Sequence, residues 1–332
     1  MQPNKLLFFA IIGLAIAIVA AMFVANTFFG DQIPLPNGKE KISVSLVVAP
    51  AIKPWVDQAA QAFNQRDSAA QVTIVEATEL IPISQFRTSD PQNPPATAWL
   101  AEAGFVISLA EQSDLKFTDA KSVATTSLAW GAFSDKQQAL TQKYGPLSWD
   151  SLHAKATATD DFLTLVIAAP QSSAEGLAAL ISATAAHLKK QSLIGADIGQ
   201  AEGWLDETFK ENVRVPLGKP AEAFAATTGR SIGDAGLLSL ASWRGVGLDK
   251  KSDFTLTPPQ PNVTLDYPLA FWADSPPANQ QVALAFRAFL LEPGQQQALA
   301  QFSLDQAGSP GQVSADGAAM LALQRWAERA LR

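Results

Sequence analysis

The chain has 332 residues, 48% hydrophobic and 17% charged, which is enough apolar material for one large core or two moderate ones and excludes a disordered protein. A formal net charge of -7 with no basic stripe excludes a nucleic-acid surface, because phosphate neutralisation needs clustered Lys and Arg. Cysteine is absent, so a disulfide framework, a thiolate nucleophile, a zinc–thiolate site and N-terminal cysteine lipidation are all ruled out.

Chain order begins with "LLFFAIIGLAIAIVAAMFVA", Leu6 to Ala25, an uncharged run of about the length that spans a bilayer as a helix. A cleaved secretory signal is the competing reading. Signal cores are usually shorter and end in small-x-small, whereas Phe23-Val24-Ala25 puts a bulky ring at that place. Residues 1–30 are therefore read as a membrane anchor or signal, with an uncleaved anchor favoured. Lys5 stays inside and the folded part is exported, a single-pass protein of the cell membrane with an extracytoplasmic domain. Residues 31–41, rich in Pro, Gly and charge, form a tether.

From Ile42 the pattern is that of an α/β protein. "ISVSLVVA" reads as a central strand stopped by Pro50, "KPWVDQAAQAFNQ" as a helix burying Trp55, Val56, Ala59 and Phe63, and "AQVTIVEA" as the next strand, ending in the loop Thr78-Glu79. Leu100 to Ala110 and the helix-like run after it continue in the same manner. The run Val123 to Phe133 is extended, and Ser148 or Asp150 starts a short helix whose face carries Trp149 and Leu152. Leu163 to Ala169 is a buried strand that stops at Pro170 and passes Gln171-Ser172-Ser173 into an Ala- and Leu-rich helix. One serine can cap that helix, or the pair can hold a ligand, since a helix start favours acceptor groups. A Gly-rich loop at Gly229 to Gly236, the extended run Val263 to Asp274, two helices parted at Pro293-Gly294 and an amphipathic tail helix complete the chain.

Catalytic and metal signatures do not assemble. His153 and His187 lack a second ligand at metal spacing, no Gly-x-Ser-x-Gly elbow precedes a helix, and the loop Gly229 to Asp234 lacks the Lys-Ser/Thr ending of a phosphate loop. No enzyme, cofactor or metal is expected, and Trp55, Trp149 and Trp326 are read as core.

Three stretches carry a resemblance. "LSWDSLHAKA", "AAPQSSAEGLAALI" and "VTLDYPLAFWAD" followed by "ALAFRAFLLEPGQQQALAQFSL" are similar to bacterial extracellular solute-binding proteins of ABC importers, and most similar to the branch often found beside von Willebrand type A domains. The resemblance covers roughly Ile42 to Gly311. It implies a two-lobed, type II periplasmic-binding-protein-like clamshell with mixed, mostly parallel sheets, preceded by one transmembrane helix. The implied division is 42–125 for the first part of lobe 1, 126–262 for lobe 2 and 263–332 for the C-terminal part of lobe 1. The runs Val123 to Phe133 and Val263 to Asp274 would then cross between lobes.

By position, the resemblance implies a ligand site lined by Pro50, Ala51, Thr78, Glu79, Ser172, Ser173, Gly229, Ser231, Asp234, Asp266 and Tyr267. It implies a small-molecule solute and, as protein partner, an ABC permease or another envelope protein; a ligand-free interaction module of the same fold is the alternative. Ala49-Pro50-Ala51 and Ala77-Thr78-Glu79 stand where many relatives carry Ser-rich and Gly-Ser-Gly loops. Those replacements remove donors of the kind an oxyanion needs.

Overall fold

Strand, helix and strand open the folded part in a computed structural model that describes residues 41–67, 69–88, 95–215, 218–308, 311 and 313–331. The expected span Leu6 to Ala25 lies outside the described residues; among those, no helix is long and apolar enough to cross a membrane.

The apolar run at Ile42–Val48 forms β1, which pairs in parallel with β2 (Ala70–Glu76) and with β3 (Ala98–Leu100). Between β1 and β2, α1 (Lys53–Arg66) starts at a proline and buries Trp55, Val56, Ala59, Ala60 and Phe63, the helical stripe visible in the sequence. Two antiparallel strands, β4 (Phe117–Ser122) and β11 (Pro268–Trp272), complete a first sheet in the order β2-β1-β3-β11-β4. After β3 the chain turns into α2 (Gly104–Glu111).

The second sheet is built on β5 (Ala124–Phe133), a ten-residue strand buried along nearly its whole length. It runs in the order β9-β5-β8-β6-β7, from β9 (Phe254–Thr257) through β8 (Ala235–Ser239) and β6 (Leu165–Ile167) to β7 (Val213–Arg214). β6 is parallel to both β7 and β8, whereas β5 runs antiparallel to β8 and β9. The short strand β10 (Thr264–Leu265) also pairs with β5. The sheets are thus mixed, and in each five-strand order four strands share one direction and one runs against them. The reason is topological: the strands that enter from the other sheet, β5 and β11, run against their neighbours.

Helices α3 (Ser134–Tyr144), α4 (Trp149–Ala156), α5 (Ala174–Leu188), α6 (Gly195–Phe209) and α7 (Leu240–Gly245) belong with the second sheet. Every residue of α5 from Ala174 to Ala185 is buried, so its Ala- and Leu-rich composition is that of a helix covered on all sides. Trp149 on α4 donates its indole N–H to Ser182 on α5 at 3.0 Å and meets Trp130 edge-on at 4.7 Å. The reading of Trp55, Trp149 and Trp326 as core matches exposures of 1%, 2% and 1%. His153 and His187 both stack on Trp204, with ring centroids 5.1 and 4.8 Å away.

The chain passes between the sheets twice in close company. Ser122 ends β4 and Ala124 begins β5, with Val123 between them; Leu265 ends β10 and Pro268 begins β11, with Asp266 and Tyr267 between them. The Val123 N–H donates to the Tyr267 carbonyl at 3.2 Å, so the two crossings are tied. Helices α8 (Pro277–Leu290) and α9 (Pro293–Ala298) follow, and the buried Gln296 amide donates to the Val123 and Leu290 carbonyls at 2.8 and 2.9 Å.

The last helix, α10 (Gly317–Ala330), is capped by Asp316, whose carboxylate accepts from the Ala319 N–H at 2.7 Å. It packs against α2 of the first sheet's half and against α5 and α6 of the second's. Trp326 donates to Asp206 on α6 at 2.8 Å, while a Cβ on Gly317 would come within 2.3 Å of the Ser108 carbonyl on α2. This helix therefore contacts helices that accompany both sheets.

Candidate ligand site between the two sheets

Parallel register fixes which loops share an edge. Val48 lies level with both Glu76 and Leu100, so Pro50-Ala51, Thr78-Glu79 and Glu102 emerge side by side from the carboxyl ends of β1, β2 and β3. Ligands of open α/β sheets bind at such an edge. Pro50, Ala51, Thr78 and Glu79 are all exposed there, and the Thr78 N–H donates to Gln85 at 3.3 Å.

The second sheet meets this edge through the start of α5. Ser173 is the N-cap: its backbone is extended and its hydroxyl accepts from the Glu175 N–H at 3.1 Å. Ser172 is exposed, and its own N–H donates to the Ala169 carbonyl at 3.2 Å. Gly176 lets the helix start sit against the strand it leaves, since a Cβ there would lie 2.4 Å from the Ala168 carbonyl. The Ala174 N–H reaches across to the Glu102 carboxylate of the first sheet, donating to its Oε2 at 3.3 Å.

Asp266 and Tyr267 stand at the crossing beside this contact. The Asp266 carboxylate accepts from the Gly104 N–H at the start of α2, at 2.7 Å. Tyr267 has a positive φ of 33°, uncommon for a residue with a side chain, and its ring is buried at 1% exposure. Such strain, of order 1–3 kcal/mol, persists only where the surroundings over-determine it. Here Tyr267 donates its N–H to the Glu102 carbonyl at 3.3 Å and accepts the Val123 N–H.

Behind Glu102 lies a second carboxylate that the sequence reading passed over. Glu175, on the first turn of α5, is buried; its Oε1 accepts from the Ser239 N–H at 2.6 Å and from the Ser242 hydroxyl at 2.7 Å. Burial and the neighbouring Glu175 charge push the Glu102 carboxyl up to about 7, against the opposing pull of the Ala174 N–H. Burial raises Glu175 as well, opposed by the hydrogen bonds it accepts from Ser239 and Ser242. Asp266 is raised by burial too, and Tyr267 is raised by burial and then by the two glutamates. Both glutamates leave a signal in the sequence: Glu102 is the only charge between Ala96 and Ala110, and Glu175 the only one between Leu163 and Ala186.

The loop Gly229 to Asp234 does not join this site. Leu165 pairs with Ala235 in parallel register, so the loop before β8 lies at the amino end of the second sheet, level with Thr164 and a strand's length from the serines. Asp234 there accepts from the Thr164 N–H at 2.9 Å and pairs with Lys155 and Lys136 at 3.4 and 3.6 Å. Ser231 donates to the Thr228 carbonyl at 2.8 Å, and Gly229 is buried against the Phe224 carbonyl. Placing these three residues in the cleft is corrected by strand direction: the site edge is where β6 and β8 end, and this loop is where they begin.

The sequence profile of the bacterial extracellular solute-binding protein family matches residues 44–303, most of the chain. The chain belongs to that family. By that match it is an extracellular solute-binding protein. No curated protein sequence matches it. Iron-bound HitA from Pseudomonas aeruginosa is similar in structure, with TM-score 0.61 and 17% identity over 86% of this chain and 99% of that one. The periplasmic binding protein AfuA from Actinobacillus pleuropneumoniae, with fructose-6-phosphate bound, gives 0.60 and 15% over 86% and 97%. The sulfate-binding protein SubI from Mycobacterium tuberculosis gives 0.56 and 16% over 80% and 87%. At these identities the likeness gives the fold, and the family match gives no branch within the family.

Proposed function

We propose that this solute-binding protein closes its two sheet-centred lobes on a small solute at the shared edge and presents it to an ABC permease outside the cytoplasm. The lobes are taken as 42–125 with 263–332, and 126–262, with α10 leaning on both. Residues 1–30 would hold the protein on the membrane and 31–41 tether it. The lining proposed is Pro50, Ala51, Thr78 and Glu79 from one side, Ser172 and Ser173 from the other, and Asp266 and Tyr267 at the crossing.

The observation that carries this reading is the bond from the Ala174 N–H to Glu102, which joins a strand end of the first sheet to a helix start of the second. Structural relatives hold iron, fructose-6-phosphate or sulfate, so the fold accommodates chemically unlike solutes. A thermal-shift panel of metals, sugars, amino acids and oxyanions against the purified full-length protein tests the reading. A solute at about 100 times its Kd stabilises the folded state by about 2.7 kcal/mol, an easily measured rise in Tm. A second reading, a ligand-free interaction module of the cell envelope, is favoured by one observation: the chain's own carboxylates already satisfy donors at the junction. No shift with any solute, together with a stable protein partner recovered without solute, would select that reading.

A further inference from the structure

Two helix starts of eight residues or more open on the junction, and each is met by a carboxylate from elsewhere in the chain. Asp266 takes the Gly104 N–H of α2, and Glu102 takes the Ala174 N–H of α5. A helix start carries unpaired N–H groups and a partial positive charge, the natural place for an anion to settle. In α5 that place is held across the junction, by a residue of the opposite sheet. A second feature points the same way. The Tyr267 hydroxyl belongs to a residue only 1% exposed, has no hydrogen-bond partner among the described residues and lies in the field of Glu102 and Glu175. A phenol beside two carboxylates can donate to an acceptor or accept from a donor, but an oxyanion brought to it would meet two like charges.

We propose that Glu102 determines the ligand class of this site, by holding the start of α5 against oxyanions and leaving the junction to solutes that are neutral or cationic and bring hydrogen-bond donors. This rests on the reading of the junction as the solute site. Glu102 makes the contact an oxyanion would make, and it arrives with its own sheet, so lobe closure delivers the carboxylate and excludes the competitor together. Specificity of this kind comes from a repulsive element rather than from a better fit.

The test is calorimetric titration of the full-length protein with sulfate and with molybdate at pH 8 and constant ionic strength. Three chains are compared: wild type, Glu102→Gln and Glu102→Ala. Glutamine keeps the shape and an acceptor for the Ala174 N–H while removing the charge, and alanine vacates the seat. The expected result is no saturable binding to wild type and a gain of at least about 100-fold in the variants, larger for alanine, as loss of one unit charge at contact distance implies. Should Glu102→Ala fail to fold, the isosteric glutamine variant still reads the effect of charge. Wild-type binding of either oxyanion as tight as in the variants would overturn the proposal, and so would variants that gain nothing. The solute panel separates this from the broader reading. A solute found for wild type with no oxyanion gain in the variants sinks the role of Glu102 alone. Oxyanion gain in the variants with no solute for wild type leaves Glu102's role standing and sinks the receptor.

Discussion

Ser172 and Ser173 are neighbours with different work. Ser173 satisfies an orphan donor of α5, so Ser173→Ala is expected to cost about 0.5–2 kcal/mol of stability, whereas the exposed Ser172→Ala changes stability by less than about 0.5 kcal/mol. Urea denaturation of both variants without solute checks this, and equal losses would contradict the capping assignment. Glu102 sets a pH dependence. Its folded-state carboxyl titrates near 7, above its ordinary value, so between about 4.5 and 7 the folded chain holds a proton that the unfolded chain has released. The stability this contributes is complete below about 4.5 and is lost as pH rises through 7, by up to about 3 kcal/mol. Glu175 and Asp266, also raised, act in the same direction. Stability measured by denaturation is therefore expected to be greater at pH 5.5 than at pH 8, with Glu102→Gln flattening much of the slope; an unchanged slope in that variant would remove Glu102 as its source. Neither glutamate was legible as a site residue in the sequence. A lone acid in an apolar run reads as a charge that must find water, and only the fold supplies the backbone N–H and hydroxyl groups that receive it.

At the scale of elements, periodicity carried most of the reading. The stripe Trp55, Val56, Ala59, Phe63 gave α1, the break at Pro293-Gly294 separated α8 from α9, and the strand before Pro170 led into α5 as expected. Strand direction was not legible. Nothing in "GRSIGD" says whether it precedes or follows the strand edge that faces the other sheet, and the parallel pairing of β6 with β8 puts it at the far one. The packing of α10 gives a quantitative expectation. Trp326 is buried, donates to Asp206 and meets Phe209 edge-on at 5.7 Å, so Trp326→Ala should cost about 3–5 kcal/mol in chemical denaturation. A loss below about 1 kcal/mol would mean that the tail helix is only loosely held.

For the whole molecule, the crossings fall at the first residue of the run Val123 to Phe133 and inside the run Val263 to Asp274, but each joins two separate strands, β4 to β5 and β10 to β11, a break that an unbroken extended pattern does not reveal. The membrane attachment read from Leu6 to Ala25 carries its own expectation: the full-length protein should stay with membranes through a high-salt wash, and deletion of residues 1–30 should release it. Release of the intact chain by salt alone would argue against the span. The placement of α10 across both halves has a consequence for time rather than for affinity. With Gln324 reaching the Gln171 carbonyl and Arg329 paired with Glu202 on one side, and Gly317 pressed on α2 on the other, parting the lobes requires one of these faces to let go first. A solute then waits for the protein, and its observed association rate in stopped-flow fluorescence should level off with concentration at the frequency of that release. Arg329→Ala, which releases Glu202 on α6 away from the junction, loosens one face of the clasp and should lift the plateau while leaving its shape.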